Sequence, residues 1–124
     1  MRLLLVLLML WAVPAWALDA QQVSKTLRIT YDEPTENADL TPLADLAETR
    51  ILVVTDGTPM PEMVIPATAP SGGGSISQDV TVPFTPNTLV NVDIEVTAVD
   101  TSGNASEIVP ANITIDWLPP GKVK

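Results

Sequence analysis

Two alternating runs in the last third of the chain constrain its fold more than any other feature. Val90, Val92, Ile94, Val96 and Ala98 alternate with Asn91, Asp93, Glu95 and Thr97, so one face of the segment is apolar and the other polar. Val109, Ala111, Ile113, Ile115 and Trp117 repeat the pattern against Asn112, Thr114 and Asp116. Between the runs lies Asp100-Thr101-Ser102-Gly103-Asn104, whose residue types each favour a tight reversal. The pattern predicts an antiparallel hairpin with one buried face. A hairpin alone is only marginally stable, so upstream residues must supply a second sheet to cover that face.

The upstream residues can do so only after the first stretch is set aside. Arg2 gives a positive start, Leu3 to Trp11 is unbroken apolar sequence, Pro14 interrupts it, and Ala15-Trp16-Ala17 has the small-x-small form of a signal-peptidase site. The apolar run is shorter than the roughly 20 residues a spanning helix needs. Residues 1–17 are therefore expected to be a cleaved signal peptide, with no membrane span left after cleavage and a secreted or periplasmic destination. Residues 18–117 are expected to form one domain, followed by an extended tail at 118–124.

Export invites disulfides, yet the 124 residues contain no Cys and no His. The core alone must hold the domain, and thiol catalysis, nucleophile–imidazole pairs and nearly all zinc or copper sites are excluded. The formal charge is −9, and loss of Arg2 with the leader makes the remainder more acidic. That argues against nucleic acid and anionic lipid as partners.

Further strands follow from the same pattern. Leu27, Ile29 and Tyr31 alternate until Pro34 ends the run, and Arg50 to Thr55 is apolar enough for a central, doubly covered strand. Ile76, Val80 and Val82 share one parity and mark another. Between Thr35 and Glu48 lies a long acidic connection with Leu40, Leu43 and Leu46, within which Thr41 and Pro42 suit a short helical turn to Ala47. Pro59, Pro61 and Pro66 confine their stretch to a sheet edge or loop. Pro70 to Ser75 reads as a flexible, unpacked hairpin end or crossover. Gln21 to Lys25 is polar and predicts a first strand that is weak or missing. The sum is an all-β, immunoglobulin-like antiparallel sandwich.

Two segments carry a resemblance to a known family. LRITYDEPTENADLTPLADLAETRILVVTDG, Leu27 to Gly57, and VDIEVTAVDTSGNAS, Val92 to Ser106, resemble the fibronectin type III domain in the variety common in exported bacterial proteins. The first is similar to the family's second strand, long loop and third strand; the second is similar to its penultimate strand and final turn. Tyr31 stands where the family usually has Trp, Val92 where it has a corner tyrosine, Leu40 where the loop has Gly, and Glu48-Thr49 where it has Gly-Tyr. The resemblance implies a non-catalytic module that presents loops to a partner, and the family's adhesion tripeptide is absent from the final turn.

Candidate site residues come from the loops. Glu36, Asn37 and Asp39, with Asp32 and Glu33 nearby, form the densest oxygen cluster, but the spacing lacks the Gly and closing Glu of an EF-hand loop, so a solvated acidic loop is expected rather than a calcium site. No cofactor is expected. Paired carboxylates serve glycosidases, but a small sandwich offers little concave surface to perturb them. Glu36, Asn37 and Asp39, Ser71 and Gly73 in the glycine-rich tip, and Thr101, Ser102 and Asn104 in the turn are the expected contacts for a protein or glycan partner. Trp117 is expected in the core rather than as a sugar platform. The alternative is a structural subunit of a fibre or surface assembly that self-associates by β-strand addition, filling an edge left by the missing first strand with a neighbour's Leu18 to Ser24 or its tail.

Overall fold

The computed structural model describes residues 18–123. The expected signal peptide falls on residues 1–17, outside the described residues. Among the described residues eight strands appear in chain order: β1 (Asp19–Val23), β2 (Thr26–Asp32), β3 (Leu46–Thr55), β4 (Thr58–Pro59), β5 (Met63–Pro66), β6 (Ser75–Thr81), β7 (Leu89–Asp100) and β8 (Val109–Asp116). They form two antiparallel sheets, one ordered β1-β2-β6 and the other β4-β3-β7-β8, with β5 also paired to β3. Among the described residues no helix is long and apolar enough to cross a membrane.

The predicted hairpin is the frame of the larger sheet. β7 and β8 pair from Leu89↔Asp116 to Val96↔Val109, and Val92, Ile94 and Val96 are wholly buried. Leu27, Ile29, Tyr31, Ile76 and Val80 from the smaller sheet, with Val82 just after it, close over them. Each such side chain contributes about 1.5–3 kcal/mol by leaving water, which is how the fold stands without disulfides. A hydrogen bond crosses the core between the sheets: the Tyr31 and Thr49 hydroxyls lie 2.6 Å apart. Trp117 is buried in the core, as its parity predicts, with its ring edge-on to Phe84 at 5.0 Å.

Three expectations change. The first strand is present: β1 pairs with β2 from Asp19↔Thr30 to Val23↔Thr26. Leu18 and Ala20 pack on the core, and two positions further on Gln22 turns its amide onto β8, accepting from Asp116 N at 2.8 Å and donating to Asp116 O at 3.2 Å. The polar residue that hid the strand thus ties the two sheets together along their edge. The expected helical turn at Pro42 to Ala47 does not form; Pro42 bridges to Glu36, and β3 begins at Leu46, ahead of the expected Arg50. Leu43 and Leu46 are drawn into a small second cluster with Ala98, which an extended path allows. Finally, β3 is central but covered on one face only: Ile51 and Val53 are in the core, while Leu52 and Val54 are half-buried on the outside.

The prolines act as predicted. Pro59 and Pro66 lie in the short strands β4 and β5, which flank β3 at the sheet margin. Residues 118–123 carry no strand and are exposed.

Candidate functional site

β2 ends, β3 begins, β6 begins and β7 ends at the same end of the sandwich, so the register gathers three connections there. They are residues 33–45, residues 67–74 and the turn from Thr101 onward. The residues expected as contacts all fall within these three connections.

The first loop and the turn are each held by carboxylates of their own segment. In the first, Asn37 N donates to Thr41 O at 2.8 Å, and the Asp39 carboxylate accepts from Thr41 N at 3.1 Å and Thr41 Oγ1 at 2.6 Å. These bonds hold the Asp39 carboxyl below the usual carboxylate range. Leu40 is left in the left-handed region at φ 71° with its side chain exposed. In the turn, Asp100 Oδ1 accepts from Ser102 N at 2.9 Å and Asn104 N at 2.8 Å, while Asn104 Nδ2 donates to Asp100 Oδ2 at 3.1 Å. Bonds from Asn104 first, then from Ser102 and Gly103, lower the Asp100 pKa.

The glycine-rich segment is packed, contrary to the expectation of a flexible tip. A Cβ on Gly72 would lie 1.9 Å from Pro34 O, and one on Gly74 would lie 2.3 Å from Thr68 Oγ1. Both positions need glycine because other atoms occupy the space, those of Pro34 at Gly72 and of Thr68 at Gly74. The segment closes around Glu33, which is 1% exposed. Its carboxylate accepts from Thr68 N at 2.9 Å, Gly74 N at 3.0 Å and the Thr68 hydroxyl, and its own N–H donates to Gly74 O at 2.9 Å. Glu33 is thus removed from the acidic surface and made the pin of two loops.

Backbone bonds join the loops to one another. Thr101 N donates to Asp45 O at 2.9 Å, Leu46 N to Pro70 O at 2.9 Å and Ala67 N to Ala47 O at 3.0 Å. Between the first loop and the turn lies a cavity of about 190 Å³, with Leu43, Leu46, Ala98 and Ala105 in its apolar lining and Glu36, Asn37, Asp100 and Asn104 among its polar residues.

Of the expected contact residues, Glu36, Asn37 and Asn104 line this cavity. Thr101 and Ser102 are exposed beside it in the turn. Asp39 is exposed but its carboxylate is committed to Thr41. Ser71 and Gly73 are exposed outside the cavity, where a Cβ on Gly73 would meet Thr35 Cγ2 at 3.2 Å. Sequence reasoning missed Asp100 as the turn's organiser and the lining residues Ala98 and Val99. Both of these are buried although they are consecutive: Ala98 packs with Leu43 and Leu46, and Val99 bridges to Ala105. Among the described residues no group of three or more acidic side chains is placed to hold a metal ion.

A second, shallow cleft of about 360 Å³ lies at the opposite end, lined by Gln22, Ser24, Lys25, Phe84, Trp117 and Pro119 among others. Lys25 Nζ sits 5.3 Å from the Phe84 ring centroid, a cation–π contact. Comparison with known proteins finds no matching family model, no matching curated protein and no matching solved structure.

Proposed function

We propose that the protein is an exported, non-catalytic binding module of the fibronectin type III kind, and that the loop end of its sandwich is the surface it presents to a protein or glycan partner. The observation that carries this reading is the convergence of the three connections on one end, around a small cavity, on a rigid two-sheet scaffold. The signal-like start supports export, and the antiparallel sandwich agrees with the resemblance of Leu27 to Gly57 and Val92 to Ser106. The alternative, assembly by strand addition, rested on an edge left by a missing first strand. Asp19–Val23 fills that position from its own chain, and no observation favours this reading over the first.

Site-specific photo-crosslinking in the native extract tests the proposal. A crosslinking residue at Asn37 or Ser102 should capture one discrete partner, and the same residue at Ser24 or Thr85 should capture none. Crosslinks confined to Ser24 or Thr85, or ladders of the protein's own multimers, would overturn it.

A further inference from the structure

The cavity at the loop end is too small for a free metabolite. At about 190 Å³ it falls below the roughly 300–1,000 Å³ of pockets that house small molecules, and its size suits one inserted side chain. Leu43, Leu46, Ala98 and Ala105 line it with apolar surface, and no aromatic ring lines it on which a sugar would stack. At its rim the exposed Glu36 carboxylate makes no hydrogen bond or ion pair among the described residues, and Asp100 stands across from it in the turn.

The charge around the cavity has one sign. Asp32, Asp39 and Asp45 belong to the same end, on the last residue of β2 and the loop that follows. The described cations are elsewhere: Lys25 lies over Phe84, Arg28 is paired with Asp79, Arg50 is paired with Glu48, and Lys122 follows Trp117 beyond the opposite end.

A long basic side chain matches both features, since its methylene stem covers apolar surface while its head stays at the polar rim. We infer that the cavity receives a lysine or arginine side chain from a basic segment of a partner protein, the stem against Leu43, Ala98 and Ala105 and the charged head toward Glu36 and Asp100. The inference rests on the loop end being the contact surface. A second copy of the chain is a poorer occupant, because two bodies of formal charge −9 repel one another.

Fluorescence anisotropy with a labelled peptide of alternating lysine and glycine tests this on the purified protein, alongside a glutamine–glycine counterpart and neutral oligosaccharides. The lysine peptide should bind and weaken as salt rises. Glu36→Gln should weaken it about threefold, while Glu95→Gln, which removes an equal charge from the middle of β7, should leave it unchanged. Ala105→Phe fills the cavity without altering charge, at a position exposed enough to keep the fold, and should weaken binding about tenfold. Ala38→Phe, also exposed and lining the cavity, repeats that test if the first variant unfolds.

Equal losses in Glu36→Gln and Glu95→Gln, or no loss on filling the cavity, would reduce the binding to diffuse attraction and overturn the inference. A glutamine peptide or oligosaccharide that binds and is displaced by Ala105→Phe would also overturn it, but would leave the loop end standing as the contact surface. Failure of every probe, with crosslinks mapping to the other end, would remove both.

Discussion

Glu33 and Thr68 meet across 35 positions of sequence, the buried carboxylate accepting from Thr68 N at 2.9 Å and from the Thr68 hydroxyl. Two connections that share no strand are thereby fixed to each other, Leu46 N to Pro70 O adds a further bond at the start of β3, and the third connection joins the first through Thr101 N to Asp45 O. These bonds tie the three connections of the loop end to one another.

Removing the carboxylate leaves its donors, Thr68 N and Gly74 N among them, without a partner at a site closed to water. Glu33→Ala should cost about 3 kcal/mol in urea denaturation, and Thr68→Val, which keeps the shape and loses one donor, about 1 kcal/mol. Equal effects of the two would mean that the carboxylate is not the organising group.

Tyr31 is the only tyrosine in the chain, so its phenolate absorbance is specific to one position. Burial raises its pKa, opposed by the Thr49 bond and assisted by the Glu33 charge. A folded-state pKa above the unfolded value of about 10 means that stability is intact below pH 10 and declines as pH rises toward the folded value. Alkaline titration should show ionisation delayed relative to the unfolded protein, coincident with loss of secondary structure. In a double-mutant cycle, Tyr31→Phe and Thr49→Val should couple by about 1 kcal/mol.

At the acid side the sign reverses. Asp100, Asp39 and Asp79 all have lowered pKa values, from Asn104, Thr41 and Arg28 respectively as the leading causes. Their contributions are present above the unfolded carboxylate value of about 4 and are lost as pH falls through the folded values. Amide exchange at Ser102 and Asn104 should accelerate in that window in the wild type. In Asp100→Ala it should be fast at every pH, and protection that survives this substitution would show that the carboxylate does not hold the turn.

Backbone geometry supplies an opposed pair. Leu40 sits at φ 71° with 74% of its surface exposed, so Leu40→Gly relieves a left-handed strain while losing little burial, and should stabilise the protein by about 0.5 kcal/mol. Gly72 has φ +66° and no space for a Cβ beside Pro34 O, so Gly72→Ala should destabilise by about 3 kcal/mol or more. Thermal unfolding of both variants checks the signs.

The sheets were legible in the sequence where side chains alternate cleanly, as in β2, β6, β7 and β8, because period 2 with one apolar face has few other meanings. β1 was not, since Gln22, two positions after the inward Ala20, has an amide that serves the seam rather than the core. The contact loops were legible as segments, but composition misread two of them. Glycine reads as flexibility when it marks close approach, and Glu33 reads as surface charge when it is buried. Neither can be told without knowing that residues 68 and 74 fold back onto residue 33. The cavity was invisible for a similar reason, because its lining brings Leu43 and Leu46 against Ala98 and Ala105, which lie far away in the sequence.

The most direct measurement is paramagnetic broadening from a spin label on a single introduced cysteine, Asn37→Cys, in a chain that otherwise has none. The account predicts strong broadening of the amides of Asp100 to Ser106 and of Ser71 to Gly73, with those of Thr85 to Leu89 at the far end left sharp. Sharp resonances at residues 71–73 and 100–106 would contradict it, because the three connections would then not form one surface.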